Sequence, residues 1–316
     1  MIAYGPVPSR RLGKSLGINN IPPKSCTYSC AYCQVGRTLN MEVEPRRFYG
    51  PEELSSEVRQ KVENALEAGE HIDYLSFVPD GEPTLDVNIG KEIRTLKDLG
   101  IKTAVITNAS LLWRPEVRDS LMAADWMSVK VDAADSRTWR RINRPHRYLE
   151  LESVLDGIVT FAESFDGELT TETMLVDGVN DSEKNAKQVG EFLSRLNPDI
   201  AYVSIPTRPP AEKWARAPAE EVINRFYQVV SSHTEHTEHL IGYEGNAFAS
   251  TGSVEDDLLS ITAVHPMRRE AVERLLERAG ATWSVVDNLV ERNKLAETAH
   301  RGDLYYMRTL PSQGKP

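Results

Sequence analysis

The sequence predicts an α/β fold: a parallel sheet of six consecutive βα units, followed by a small module of two helices and a hairpin. Three observations carry that expectation. Short runs rich in β-branched and aromatic residues alternate with stretches whose apolar residues recur at helical spacing. The alternation runs from residue 16 to residue 205, and the chain changes character beyond residue 245. The composition, 40% hydrophobic and 27% charged over 316 residues, is ordinary for a globular protein, long enough for one large domain and an appendage.

Strands are expected at residues 16–21, 74–78, 103–107, 126–131, 169–176 and 200–205. Amphipathic helices are expected between them at 52–68, 90–99, 114–123, 149–164 and 182–196. The small, polar and acidic stretch 246–257 has the composition of a linker, dividing a domain of residues 1–245 from one of residues 258–310. In the second unit, helices at 270–279, stopped by Gly280, and at 284–291 precede strands at 295–298 and 304–308 around a turn at Gly302. Helix, helix and hairpin resemble a winged-helix module. Its second helix lacks a dense basic face for a major groove, so contact with a partner protein, substrate docking or a structural cap is expected ahead of DNA binding. Residues 311–316 are expected to form a disordered tail.

Residues 1–17 lack the apolar core of a signal peptide, and no run of about 18 residues is apolar and free of charge. A cytoplasmic location without membrane contact is therefore expected. The balance of 37 Lys+Arg against 47 Asp+Glu, a net charge of -10, argues against a protein that coats nucleic acid. Two local basic groups, Arg10, Arg11 and Lys14 and then Arg140, Arg141, Arg144 and Arg147, read equally well as binding patches or as solvated charges.

The chain has three cysteines, Cys26, Cys30 and Cys33, in a C-x3-C-x2-C run. An odd number on one loop is not a disulfide framework. Structural zinc wants four protein ligands, and no His lies near the run to complete a set. An iron-sulfur cubane suits thiolates on a short loop, and three of them leave one iron without a protein ligand.

This spacing, with aromatic Tyr32 just before the last cysteine, resembles the signature of the radical S-adenosylmethionine (SAM) superfamily. Within it, Val7-Pro8-Ser9-Arg10-Arg11-Leu12-Gly13, Pro23-Lys24-Ser25-Cys26 and Cys33-Gln34-Val35-Gly36 are similar to the group that includes the wybutosine-synthesising tRNA enzyme. The resemblance implies a partial (β/α)6 barrel whose 4Fe-4S cluster sits on Cys26, Cys30 and Cys33, with SAM chelating the open iron. It also implies reductive cleavage of SAM to a 5'-deoxyadenosyl radical that abstracts hydrogen, and an external electron donor such as flavodoxin or ferredoxin.

Parallel α/β folds place their sites at the C-terminal ends of the strands, so the residues there are the candidates. After the second strand, Asp80-Gly81-Glu82-Pro83-Thr84 resembles the superfamily's glycine-and-glutamate motif that meets the amino group of SAM, with Asp80 where many relatives carry a glycine. Gly81 lets backbone come close, and Glu82 offers an anion to an ammonium. Asn108, ending the third strand, suits either the ribose and amino-acid portion of SAM or a helix cap. Ser128, Lys130 and Asp132 share one side of the fourth strand, which fits Lys130 on the SAM carboxylate and Asp132 on ribose or substrate, or an internal salt-bridge network.

Asp177-Gly178-Val179-Asn180-Asp181 is a turn, with Asn180 or Asp181 able to cap the next helix and a contact to adenosine open. Arg208 lies near the expected mouth, suited to an anionic substrate or to solvent. His146 is expected to flank a helix rather than serve as a base.

The wybutosine enzyme carries a second cluster on additional cysteines, and this chain has none to spare. The substrate stays open between an RNA base and a small metabolite. Two other readings are an activase that installs a glycyl radical on a partner protein recruited by the C-terminal unit, and a cluster-dependent DNA-binding regulator.

Overall fold

A computed structural model describes residues 2–242, 248 and 253–309. Its centre is an eight-stranded sheet in which the strands lie side by side in chain order. They are β1 (Ala3–Ser9), β2 (Gly13–Ile18), β3 (Tyr74–Phe77), β4 (Lys102–Thr107), β5 (Trp126–Lys130), β6 (Glu168–Met174), β7 (Ile200–Ser204) and β8 (Thr237–Leu240). The six expected strands are β2 to β7, all parallel, as expected of a partial barrel. β1 adds an antiparallel edge and β8 a parallel one.

Helices cover the outside: α1 (Pro51–Glu67), α2 (Ile89–Leu96), α3 (Pro115–Leu121), α4 (Ser136–Ile142), α5 (Leu151–Ala162), α6 (Glu183–Leu196) and α7 (Glu220–Ser231). Local chemistry sets their ends. α1 opens with Pro51 followed by Glu52 and Glu53, which suit the positive end of the helix dipole. Asp135 caps α4 by accepting from Thr138 N at 3.0 Å. Ser182 caps α6 by accepting from Asn185 N at 3.2 Å, a correction to the expected Asn180 or Asp181. Asn180 instead turns inward, its Oδ1 accepting from Val176 N and its Nδ2 donating to the carbonyls of Asp132 and Met174.

The period-two alternation of the strands divides the molecule into two chemistries. Leu16, Ile18, Leu75, Phe77, Met127, Val129, Ala201 and Val203 face the helices, joining Val58, Ile93, Leu121, Phe161 and Val189 in one buried core. At roughly 1.5–3 kcal/mol per large side chain, this layer holds the barrel together. The residues between them, Ser15, Gly17, Ser76, Ile106, Lys130, Glu172 and Met174, line an interior cavity.

The C-terminal unit comprises α8 (Val254–Val264), β9 (Met267–Arg268), α9 (Arg269–Arg278), α10 (Ser284–Glu291), β10 (Leu295–His300) and β11 (Asp303–Arg308). The two expected helices and hairpin are there, with α8 and a short third strand added, in an antiparallel sheet ordered β9-β11-β10. The expected linker 246–257 is corrected at its end: Ser253 caps α8, and Glu255, Asp256 and Asp257 form its first turn, where acid favours the helix N-terminus. The rest of that stretch, apart from Phe248, lies outside the described residues, as does 311–316.

This unit does not hang free. Its core of Leu258, Ile261, Met267, Ala271, Val272 and Leu275 includes Tyr4 and Val7 of β1. No helix among the described residues is long and apolar enough to cross a membrane.

Candidate functional site

The cysteines lie on the loop that follows β2, and three neighbouring segments fix its backbone. From the β3 side, Lys24 N donates to Asp80 O at 2.7 Å and Glu82 N to Ser25 O at 3.0 Å. From the end of α4 and the segment after it, the Ile142 and Asn143 carbonyls accept from Ala31 N (2.9 Å) and Ser29 N (3.1 Å), and His146 N donates to Thr27 O at 2.8 Å. From the segment after β7, Glu212 N donates to Ala31 O at 3.0 Å. Inside the loop, buried Tyr28 packs edge-on to Trp139, whose Nε1 donates to its hydroxyl at 3.2 Å.

Gly81 shows why this site needs a residue without a side chain. A Cβ built there would stand 1.9 Å from the Ser25 carbonyl oxygen. Only glycine lets the strand end touch the cysteine loop.

The sulfurs are placed for a cationic group. Cys26 Sγ receives Tyr28 N and Asn108 Nδ2, each at 3.5 Å, and Cys30 Sγ receives Asn143 Nδ2 at 3.5 Å. Burial pushes the Cys30 thiol up to about 12, with the Asp132 charge adding to it, and burial raises Cys26 and Cys33 as well. A cation such as iron placed against these sulfurs would favour their thiolate form. Among the described residues, no three or more His, Cys, Asp or Glu side chains form a group able to hold a single metal ion. A cubane differs from such a site because each thiolate meets a different iron, so the donor set fits the cluster better than zinc.

The three cysteines open into a cavity of about 340 Å³. Gly81, Glu82, Asn108 and Lys130 line it with them, so four of the six expected cofactor residues share one space with all three thiols. Pro83 and Asp132 do not line it. Pro83 opens a buried single turn, and its carbonyl accepts from Asn20 Nδ2 at 3.0 Å.

The Glu82 carboxylate is occupied by the protein. Oε1 accepts from the hydroxyls of Thr84 and Thr107, each at 2.6 Å, and Oε2 from Asn108 N at 2.8 Å. It ties the ends of β3 and β4 together, and burial raises its pKa against these donors. Asn108 in turn donates to Thr27 Oγ1 at 2.7 Å, on the cysteine loop. Asp80 does not line the cavity; Lys24 Nζ lies 3.8 Å from its carboxylate, and burial pushes its carboxyl up to about 6.

Lys130 and Asp132 belong to an internal network. Asp132 accepts from Met174 N at 2.8 Å, from Asn143 Nδ2 at 2.6 Å and from the Tyr32 hydroxyl. Lys130 Nζ lies 3.1 Å from Glu172 Oε1 and 3.6 Å from Asp132 Oδ1, over the Tyr32 ring. Burial opposes its charge, but Asp132 and Glu172 hold the ammonium above its ordinary range. Glu172 also receives Arg11 NH1 at 2.9 Å and Ser204 Oγ at 2.9 Å. Although burial disfavours its charge, Lys130 and Arg11 hold it well below the usual carboxylate range.

Glu172 and Arg11 were missing from the expected site. Lys130 and Glu172 are register partners on β5 and β6, a relation that only strand pairing reveals. The N-terminal basic group is correspondingly not a patch: Arg11 lies inside the barrel, Arg10 donates to Leu240 O and Gly242 O, and Lys14 pairs with Glu70. Arg208 lines the cavity, donating to Gln34 Oε1 at 2.6 Å and meeting His265 Nε2 at 2.9 Å. Val264 and His265 of the C-terminal unit complete that wall, and Gln34 Nε2 donates to Val264 O at 2.9 Å.

Comparison with known proteins follows the same lines. A family model described as the radical SAM superfamily matches residues 20–188. The chain is 44% identical over 316 residues to a UPF0026 protein of Methanocaldococcus jannaschii, covering 99% of this chain and 98% of that one. Among solved structures, a radical SAM methyltransferase from Sphaerobacter thermophilus aligns with a TM-score of 0.55 at 21% identity, over 72% of this chain and 66% of that one. TYW1 with a lysine-pyruvate adduct bound aligns with a TM-score of 0.54 at 18% identity, over 70% and 74%. At these identities the solved structures show a shared fold.

Proposed function

This chain belongs to the radical SAM superfamily, whose cofactors are a 4Fe-4S cluster and SAM, and from that premise we propose that it cleaves SAM reductively to abstract hydrogen from a substrate, either an RNA base or a small metabolite. One observation carries the reading: Cys26, Cys30 and Cys33 open into the same cavity as Gly81, Glu82, Asn108 and Lys130. The cluster and SAM together supply a 5'-deoxyadenosyl radical.

The chain's own part is to bind, orient and shield. Cys26, Cys30 and Cys33 would hold the cluster, and the N–H groups of Tyr28, Asn108 and Asn143 point at their sulfurs to steady them. Gly81 keeps the backbone beside the cluster loop open to the cofactor, while Glu82 acts through Thr107 and Asn108 rather than by direct contact. Val7, Val78, Ile205 and Val264 make an apolar wall that excludes water from a reactive intermediate. The C-terminal unit serves in this reading as a cap at the cavity wall, through Val264 and His265.

The test is anaerobic reconstitution with iron and sulfide, then electron paramagnetic resonance of the reduced protein with and without SAM, beside Cys30→Ala. A cubane signal that shifts with SAM and is lost in the variant, with 5'-deoxyadenosine formed under strong reductant, supports the reading. Uptake of one zinc and no cubane would overturn it.

A further inference from the structure

All three cysteines sit on one loop, so the chain has thiols for a single cluster and no second one to relay electrons. The proposed reduction of SAM needs an electron from outside. Because tunnelling falls off steeply with distance, the donor must dock close to the cysteine loop.

The outer side of that loop is covered by residues 142–146 and 212–215, which hydrogen-bond or pack directly onto residues 27–31. Residues 137–147 contain five arginines and a histidine but no acid, in a protein whose net charge is -10. Arg140, Arg141, Arg147 and Lys213 are exposed, and none has a carboxylate within 4.0 Å among the described residues. Arg144 and Arg37, the latter on the cysteine loop itself, share Glu212 at 2.6 and 2.8 Å. Tyr148 and Trp214 stand out beside them, 69% and 44% exposed, each with an arginine over its ring.

Resting on the function proposed above, we infer that this basic, aromatic face is the docking surface for an acidic electron-transfer protein of the flavodoxin kind. One electron passes from the donor's reduced flavin, oxidised by one step, to the cluster, reduced by one. A local positive field on an otherwise acidic protein steers a negative partner to this face and repels it elsewhere. The surface also has the makings of an RNA contact, arginines interleaved with exposed rings. Its position over the cluster loop and outside the cavity wall favours the electron donor, because none of these residues lines the cavity where a substrate would react.

The experiment compares the reconstituted protein with an Arg140→Glu/Arg141→Glu/Arg147→Glu variant, following cluster absorbance in stopped flow. Reduced flavodoxin and dithionite are the two reductants. The flavodoxin rate should fall about tenfold or more in the variant, and in the wild type on raising salt, while the dithionite rate stays unchanged. If the triple variant does not load a cluster, Lys213→Glu is compared in the same way. An unchanged flavodoxin rate overturns the inference, and does so in favour of RNA if the variant also loses retention of a transfer-RNA mixture in a filter assay. A wild type that takes up no cubane overturns instead the function on which the inference rests.

Discussion

Gly81 and Glu172 show how single residues fix the site. Because a Cβ at position 81 would fall 1.9 Å from the Ser25 carbonyl, Gly81→Ala must push the β3 end off the cysteine loop. Thermal unfolding should register a loss of about 1–3 kcal/mol, and iron content after reconstitution should drop with it. Wild-type iron content in this variant would sink the idea that close approach matters. Glu172 balances Arg11 and Lys130 in the barrel interior. Glu172→Gln should cost about 3–5 kcal/mol, because two buried cations lose their anion. The sign with pH follows from its pKa, which is lowered in the folded state. Its contribution is present above the unfolded glutamate range, near pH 4, and is lost as pH falls through the folded value. Denaturant titrations from pH 7 to pH 2 should therefore show a shallower acid loss in the variant.

At the scale of elements, α2 carries the opposite pH behaviour. Burial raises the carboxyls of Asp86, just before the helix, and Glu92, in its first turn, and the Asp86 charge raises Glu92 further. Groups whose folded values lie above the unfolded ones stabilise the fold at low pH and cease to do so as pH rises through the folded values. Glu92→Gln should flatten the decline in stability between about pH 5 and pH 9 and raise Tm at pH 8, and an unchanged slope would show that the pair is not protonated together. Elements also mark where sequence reasoning stops. β2 to β7 were legible because their β-rich runs alternate with helical spacing. β1 was not, since Gly5, Pro6 and Pro8 break its pattern and its pairing shifts register between Tyr4 and Val7. Nor was β8, a polar edge strand with only Leu240 buried. Within the site, the thiols, Gly81 and Asn108 could be read from local spacing, whereas Arg11 and Glu172 meet only across 161 residues of sequence.

For the whole molecule, the shared core between β1 and the C-terminal unit decides how it unfolds. Tyr4 and Val7 pack with Leu258, Leu275 and Leu289, and Lys61 of α1 pairs with Asp257 of α8 at 3.0 Å. A calorimetric scan should show one transition, and Leu275→Ala should lower it as a unit by about 2–5 kcal/mol. Two separated transitions, with only one moved by the substitution, would mean that the units fold apart.

The wall supplied by Val264 and His265 also has a consequence in time. A ribosome releases the cysteines first and the residues that close their cavity more than 200 residues later, some tens of seconds at roughly 5–20 residues per second. Throughout that interval the thiols face an unfinished vessel, open to whatever delivers iron and sulfide. Once the last wall docks, Gln34 is tied to Val264 and the way in narrows. The order of synthesis thus leaves the nascent chain a period in which its thiols are more open than in the finished protein.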